Sequence, residues 1–291
     1  MELCTTKSAM RAQRAAWRAE ARRVVLVPTM GYLHDGHMAL IARARQEAGA
    51  DGRVIASIFV NPTQFGPNEE LSTYPRDPAR DTQMLERAGV DALFMPEATE
   101  VYAPGAQTIV EPTELSRILI GKLRPGHFRG VATVVTKLFN IIQPDAACFG
   151  QKDYQQLAVI RTMVRDLDMD VQVIGVPTVR ESDGLAMSSR NVRLTPQDRA
   201  AAPVLDAALS EAEALAAEGT TASRIRSHVR ARLEAEPRAD VQSVDIRDAD
   251  TLAALSGPLT RPAVVLLAVR FGTVLLIDNR VLCPPSKEET P

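Results

Sequence analysis

The sequence predicts an α/β fold: a mostly parallel sheet flanked by helices, then a smaller C-terminal α+β domain. Three observations carry this expectation. Short apolar, β-branched runs alternate with helical patterns up to about residue 176, as βαβ units do. Beyond Thr195 the elements group differently, with Ala-rich helices first and strands after them. A chain of 291 residues, 45% hydrophobic and 24% charged, can bury the core of one large or two modest domains. The expected division is 1–180 and 181–291.

The elements follow in order. Residues 8–23, rich in Ala and Arg around Trp17, read as an amphipathic surface helix. Val24-Val25-Leu26-Val27 is a buried strand. Pro28 and Gly31 punctuate it, and a helix follows from about Gly36 to Gly49. Arg53–Val60 is the second strand, closed by the polar turn Asn61-Pro62-Thr63-Gln64-Phe65. After Thr73-Tyr74-Pro75-Arg76-Asp77-Pro78 a helix runs over 79–88, and Ala92–Met95 is the third strand. The loop 121–130 is dense in glycine and positive charge, and a helix spans 131–142. Asp145–Phe149 is a strand ending in Gly150-Gln151-Lys152-Asp153, with a helix over 154–167 and a strand over 171–176. Residues 183–191 are a polar loop. In the last third, helices are expected at 195–218 and 222–234, a strand near 241–246, and a hairpin-like pair at 263–269 and 274–278. The residues from Pro284 on read as a frayed tail.

Bulk properties exclude several functions. A formal charge of −2 offers no broad basic field, so nucleic acid is not the expected partner. The first residues lack an apolar secretory core, and no apolar run is long enough to span a bilayer, so no membrane is expected either. Cys4, Cys148 and Cys283 lie far apart with no CxxC spacing, which reads as free thiols in a reducing cytoplasm.

In open parallel sheets ligands bind outside the carboxyl ends of the strands. That rule unites His34 and His37 with Asn61 and Gln64, although they are distant in sequence. His34-x-x-His37 lacks the further ligands that zinc needs. Met30-Gly31 and Gly36 make it a phosphate and adenine corner, where protonated imidazoles can neutralise developing charge. Lys152, Ser188, Ser189 and Arg190 are what a triphosphate requires without a Walker loop. Neither GxxxxGK[ST] nor GxGxxG occurs. Asp81 and Asp153 are candidate magnesium ligands, although a solvated carboxylate is the commoner fate. Asn61 and Gln64 each offer donor and acceptor to a small polar substrate. His127 and His228 read as structural or surface residues.

Six segments, in order over residues 28–191, resemble one family. They are Pro28-Thr29-Met30-Gly31-x-Leu33-His34-x-Gly36-His37, Phe59-Val60-Asn61-Pro62-x-Gln64-Phe65, Tyr74-Pro75-Arg76-Asp77, Arg124–Val131, Phe149–Gln156 and Met187-Ser188-Ser189-Arg190-Asn191. The family is pantoate–β-alanine ligase. The resemblance implies a Rossmann-like nucleotidyl-transferase domain and a smaller C-terminal domain, as a homodimer. It implies that pantoate attacks the α-phosphorus of Mg-ATP, and that β-alanine then displaces AMP from pantoyl adenylate. The corner and the Ser-Ser-Arg loop look like the HIGH and KMSKS elements of class I aminoacyl-tRNA synthetases.

Carried onto this sequence, ATP falls to Met30, Gly31, Tyr32, Leu33, His34, Asp35, Gly36 and His37, and to Gly150, Gln151, Lys152 and Asp153. Val179, through its backbone toward adenine, and Met187, Ser188, Ser189 and Arg190 complete the ATP set. The catalytic residues implied are His34, His37, Lys152 and Arg190, with His37 as proton donor. Pantoate falls to Gln64 and Gln156, with Gln64 also bordering β-alanine. Magnesium is expected to ride mainly on the ATP phosphates. Two other readings of the residues alone are a nucleotidyltransferase that keeps the nucleotide in its product, and a non-catalytic nucleotide-binding module.

Overall fold

The computed structural model describes residues 1–66, 71–72 and 74–284. Thr73 and the tail expected beyond Pro284 lie outside the described residues. The chain forms two compact units, one of Met1–Gln151 with Val159–Thr178, the other of Lys152–Ala158 with the chain from Val179 on.

The first unit begins with a strand that periodicity did not reveal, β1 (Glu2–Cys4), followed by helix α1 (Lys7–Ala19). β1 pairs in parallel with the strand Ala92–Phe94, Leu3 opposite Leu93, and three residues are too few for a pattern to register. β2 (Val24–Thr29), α2 (Asp35–Ala48), β3 (Arg53–Ile58), α3 (Pro78–Arg87) and β4 (Ala92–Phe94) follow. Two single-turn helices, α4 (Ala98–Val101) and α5 (Ile120–Leu123), precede α6 (His127–Ile142). β5 (Ala146–Gly150), α7 (Tyr154–Asp166) and β6 (Gln172–Val176) complete the alternation.

The sheet order is β1-β4-β3-β2-β5-β6, and each of these neighbouring pairs is parallel. Val24 to Val27 are fully buried, as strands covered on both faces must be. The chain winds one way from β2 through β3 and β4, and the other way through β5 and β6. The order therefore reverses between β2 and β5, and that switch point is where open α/β sheets place a ligand. α6 begins at His127 instead of the expected Val131, because Gly126 at φ 83° turns the chain into it.

In the second unit α8 (Pro196–Ala201) and α9 (Val204–Ala217) replace the single helix expected over 195–218. Pro203 separates them, since it lacks the N–H that an uninterrupted helix would need there. α10 (Ala222–Glu234) follows, then β7 (Asp240–Asp248), β8 (Ala263–Phe271) and β9 (Val274–Leu282) in one antiparallel sheet. Leu205, Leu209, Ile225, Val229, Val265 and Leu267 belong to its buried core. Lys152–Ala158, expected in the first domain, cluster with this unit. Asn279 donates to the Lys152 carbonyl at 2.8 Å and the Tyr154 hydroxyl to the Ala249 carbonyl at 2.7 Å.

Candidate active site

The corner between β2 and α2 is built by its own histidines. His34 is the N-cap of α2, with extended backbone at φ −145° and ψ 176°. Its Nδ1 accepts from the Gly36 amide at 3.1 Å, and His37 Nδ1 accepts from the His34 amide at 3.2 Å. The two rings thus form a reciprocal capping box, a task usually given to Ser or Thr with Glu or Gln. A backbone N–H can only donate, so neither Nδ1 carries a proton and each neutral ring holds its proton at Nε2. A second ring proton would displace a capping bond worth on the order of 1 kcal/mol. It would also set positive charge on rings whose centroids are 4.1 Å apart. The geometry therefore favours neutral rings, not the protonated pair expected from the sequence.

Ahead of the histidines, Gly31 and Tyr32 take positive φ values of 82° and 53°. Asp81, 1% exposed, accepts from the Tyr32 amide at 2.7 Å and the Leu33 amide at 2.8 Å, one on each carboxylate oxygen. The sequence offered Asp81 to magnesium. Both oxygens are instead committed to backbone, in a place water scarcely reaches.

After β3, the expected polar turn is a single 3-10 turn over Pro62–Gln64. Asn61 is 1% exposed and gives one amide hydrogen to Gln64 Oε1 and the other to the Gly130 carbonyl, both at 3.1 Å. Its Oδ1 accepts from the Thr63 and Tyr102 hydroxyls, each at 2.9 Å. With no amide hydrogen left, Asn61 orients Gln64 instead of meeting a substrate as the sequence suggested. Gln64 Nε2 in turn donates to Met30 Sδ at 2.9 Å, which brings Gln64 to the histidine corner. His127 donates from Nδ1 to the Gln64 carbonyl at 3.0 Å, the structural part expected for it. A Cβ on Gly130 would stand 2.4 Å from the Thr63 carbonyl oxygen, so only glycine lets α6 pass this close. Sequence reasoning missed Tyr102 and gave Gly130, quoted within Arg124–Val131, no part in this turn; both lie far from it in sequence. Burial pushes the Tyr102 phenol up, and its hydrogen bond with Thr63 pulls it partly back.

Gly150 ends β5 and Gln151 begins the next turn, at the carboxyl edge of the first unit's sheet. The second unit carries Lys152, Asp153 and Gln156, each half-buried at the start of α7 or just before it. It also carries a tight reversal over 179–187, in which Val179 accepts from the Met187 amide at 3.0 Å and Arg180 bridges Ala186. Ser188 Oγ accepts from the Arg190 amide at 3.2 Å, and Asn191 donates to Glu181 and to the Ala186 carbonyl. Arg199 closes the reversal from α8 with bonds to Asp183 at 2.6 Å and Glu181 at 2.7 Å. Among the described residues no cluster of three or more His, Cys, Asp or Glu could hold a metal. His228 pairs with Glu211 at 2.7 Å on the surface of the second unit.

A sequence model of the family described as Pantoate-beta-alanine ligase matches residues 2–281. The chain belongs to that family. It is 52% identical over 283 residues to the pantothenate synthetase of Agrobacterium fabrum, covering 97% of this chain and 96% of that one. Against the pantothenate synthetase of Sinorhizobium medicae it is 53% identical over 287 residues, or 98% of each chain. The fold matches the crystal structure of the Thermus thermophilus pantothenate synthetase with a TM-score of 0.90 at 46% identity, covering 96% of this chain and 99% of that one. It also matches the Francisella tularensis pantoate-beta-alanine ligase, crystallised with beta-gamma ATP and beta-alanine, with a TM-score of 0.78 at 34% identity and 97% of each chain. The parallel sheet plus antiparallel sheet is thus the fold of pantoate–β-alanine ligases.

Proposed function

We propose that this member of the ligase family condenses (R)-pantoate with β-alanine to pantothenate, consuming ATP and releasing AMP and pyrophosphate through pantoyl adenylate. The observation that carries the proposal is the histidine capping box at the switch point, with the Gln64 amide oriented toward Met30 beside it.

In the first step a pantoate carboxylate oxygen forms a bond to the α-phosphorus. The bond to pyrophosphate breaks, and its electron pair stays on the departing oxygen. No proton is transferred, so what the site must supply is positioning and stabilisation of growing charge. Two Nε2–H donors, one from His34 and one from His37, suit that task at no cost in reorganisation. His37 is then a hydrogen-bond donor in place of the proton donor implied by the resemblance. In the second step the neutral amine of β-alanine attacks the acyl carbon. The acyl–oxygen bond to AMP breaks, its electrons go to the AMP phosphate, and the amine gives up its surplus proton to solvent.

The remaining roles are part of the same proposal. Lys152, Ser188, Ser189 and Arg190 serve phosphate oxygens, Val179 serves adenine through its backbone, and Gln64 and Gln156 hold pantoate. Magnesium, when bound, would neutralise part of the triphosphate charge and would need only one or two carboxylates from the protein. Asp153 is the remaining candidate, since both Asp81 oxygens are engaged. We assign the Rossmann-like catalytic domain, with most of the nucleotide and pantoate residues, to 1–180, and the smaller domain, which adds Met187–Arg190, to 181–291. We place the protein in the cytoplasm as a homodimer, on the family resemblance and its unpaired cysteines. No helix among the described residues is long and apolar enough to cross a membrane.

The deciding assay measures AMP release while each substrate is omitted in turn. With pantoate alone, labelled pyrophosphate is expected to exchange into ATP; with all three substrates, free AMP accumulates. AMP formed without pantoate, or a product that retains the nucleotide, would refute the proposal.

A further inference from the structure

We infer that Asp81 is a positioning residue for the adenylation step: its carboxylate, reaching up from α3, fixes the turn that aims the histidine pair. The inference rests on the role proposed above for His34 and His37. Its basis is a conflict in the backbone. Gly31 tolerates its φ of 82° freely, but Tyr32 at φ 53° occupies a region that costs a side-chain-bearing residue energy. Something must hold Tyr32 there.

Asp81 does so with both oxygens. Oδ2 takes the Tyr32 amide at 2.7 Å and Oδ1 takes the Leu33 amide at 2.8 Å, and bonds from backbone to a carboxylate are among the stronger kinds. The group is 1% exposed, so little water competes. The fit is close, since a Cβ on Gly31 would stand 3.0 Å from Asp81 Oδ2 and equally near Ile58 Cγ2. Asp81 is itself fixed by the start of α3, where Asp77 caps the Arg80 amide, Pro78 opens the helix, and the Asp81 amide bonds the Asp77 carbonyl at 2.9 Å. Leu33, also buried, leads directly into His34, whose amide is the donor to His37 Nδ1. A displacement of Tyr32 or Leu33 is therefore passed to the cap that sets both rings.

Asp81→Asn keeps the size but turns an amino group toward one of the two amides. The variant is expected to lose about tenfold to a hundredfold in kcat for pantoate-dependent pyrophosphate exchange, the scale of a small misplacement of reacting groups. The KM for ATP should move far less. Nitrogen-15 spectra of its histidines should lose the uniform Nε2–H form at His34 and His37, a change that mere loss of stability does not produce. Tyr32→Gly, which removes the cost of the positive φ, should restore part of the kcat in the Asp81→Asn background.

A folded Asp81→Asn protein with unchanged kcat and unchanged histidine spectra would overturn the inference. If that substitution prevents folding, hydrogen exchange in the wild type decides. The Tyr32 and Leu33 amides should be protected like those of β2, and free exchange at both would overturn it. Failure of the underlying reading has a different signature, namely exchange activity that survives His37→Ala.

Discussion

The histidine corner and the Ser188–Arg190 loop carry the two motifs that we propose serve phosphate, and they are held by different physics. In the corner, the ties are short hydrogen bonds among backbone amides, imidazoles and one buried carboxylate. Around the loop, ion pairs join the hydrogen bonds of Ser188 and Asn191. Arg180 binds Asp278 through both terminal nitrogens, at 2.7 and 3.0 Å, and Arg199 binds Asp183 and Glu181. Burial would lower the Arg180 basicity, but the Asp278 carboxylate outweighs it and raises it. Hydrogen bonds to Asp183 and then Glu181 raise that of Arg199. A corner held by short directional bonds, braced from a buried carboxylate, is fixed before substrate arrives. The Arg199 pairs are partly exposed, although Asp278 is buried, so that side of the loop can yield to salt and to acid.

That contrast can be broken first at the corner. His37→Ala removes the proposed Nε2–H donor and half of the capping box together. Pantoate-dependent pyrophosphate exchange is expected to fall by about 10²–10³, the loss typical of one donor to developing charge. Circular dichroism should show the fold retained.

Gln64→Ala is the next largest. It removes the group that Asn61, Tyr102 and Thr63 jointly orient, so kcat/KM for pantoate should drop on the order of tenfold, with the ATP KM nearly constant. If only the ATP KM moved, Gln64 would not belong to pantoate.

The smallest effect is expected at the loop. Arg199→Met should reduce exchange by no more than about tenfold, because its two partly exposed ion pairs together contribute on the order of 1 kcal/mol. It should also change the response to acid. Hydrogen bonding from Arg199 holds Asp183 below its ordinary value, and the Thr195 hydroxyl followed by Arg238 does the same for Asp198. A depressed carboxylate stabilises the folded unit above its unfolded pKa, about 3.9. That stability is lost as pH falls through the depressed value. Thermal unfolding of the wild type should therefore be insensitive to these groups at neutral pH and weaken below about pH 4. Arg199→Met should show a shallower acid decline.

Much of the fold was legible because its parallel strands are continuous apolar runs and its α2 start carries a recognisable motif. β1 was not legible, since a three-residue edge strand offers no period. The break at Pro203 was written in the sequence, but the alanines around it masked it. Within the candidate site, residue types pointed to His34, His37 and Gln64, yet not to how they are held. Asn61 looked like a ligand-binding amide, and only the positions of Gly130 and Tyr102 show that its hydrogens are spent. Asp81 looked like a metal ligand because a carboxylate near a phosphate site suggests one. Its amide partners lie about fifty residues earlier in the chain, a separation that no local pattern encodes. The protonation state of the histidines followed only from the capping geometry.

The central claim is that acyl adenylation is driven by neutral, cap-fixed histidine donors. Its most direct measurement compares pyrophosphate exchange, with pantoate and without β-alanine, in the wild type, His37→Gln and His37→Ala. Glutamine can accept the His34 amide as a capping-box residue does and still donate outward from its amide nitrogen. The account predicts that His37→Gln keeps a rate well above that of His37→Ala. Equal loss in the two variants, with wild-type activity that follows the protonated form of an imidazole, would contradict it.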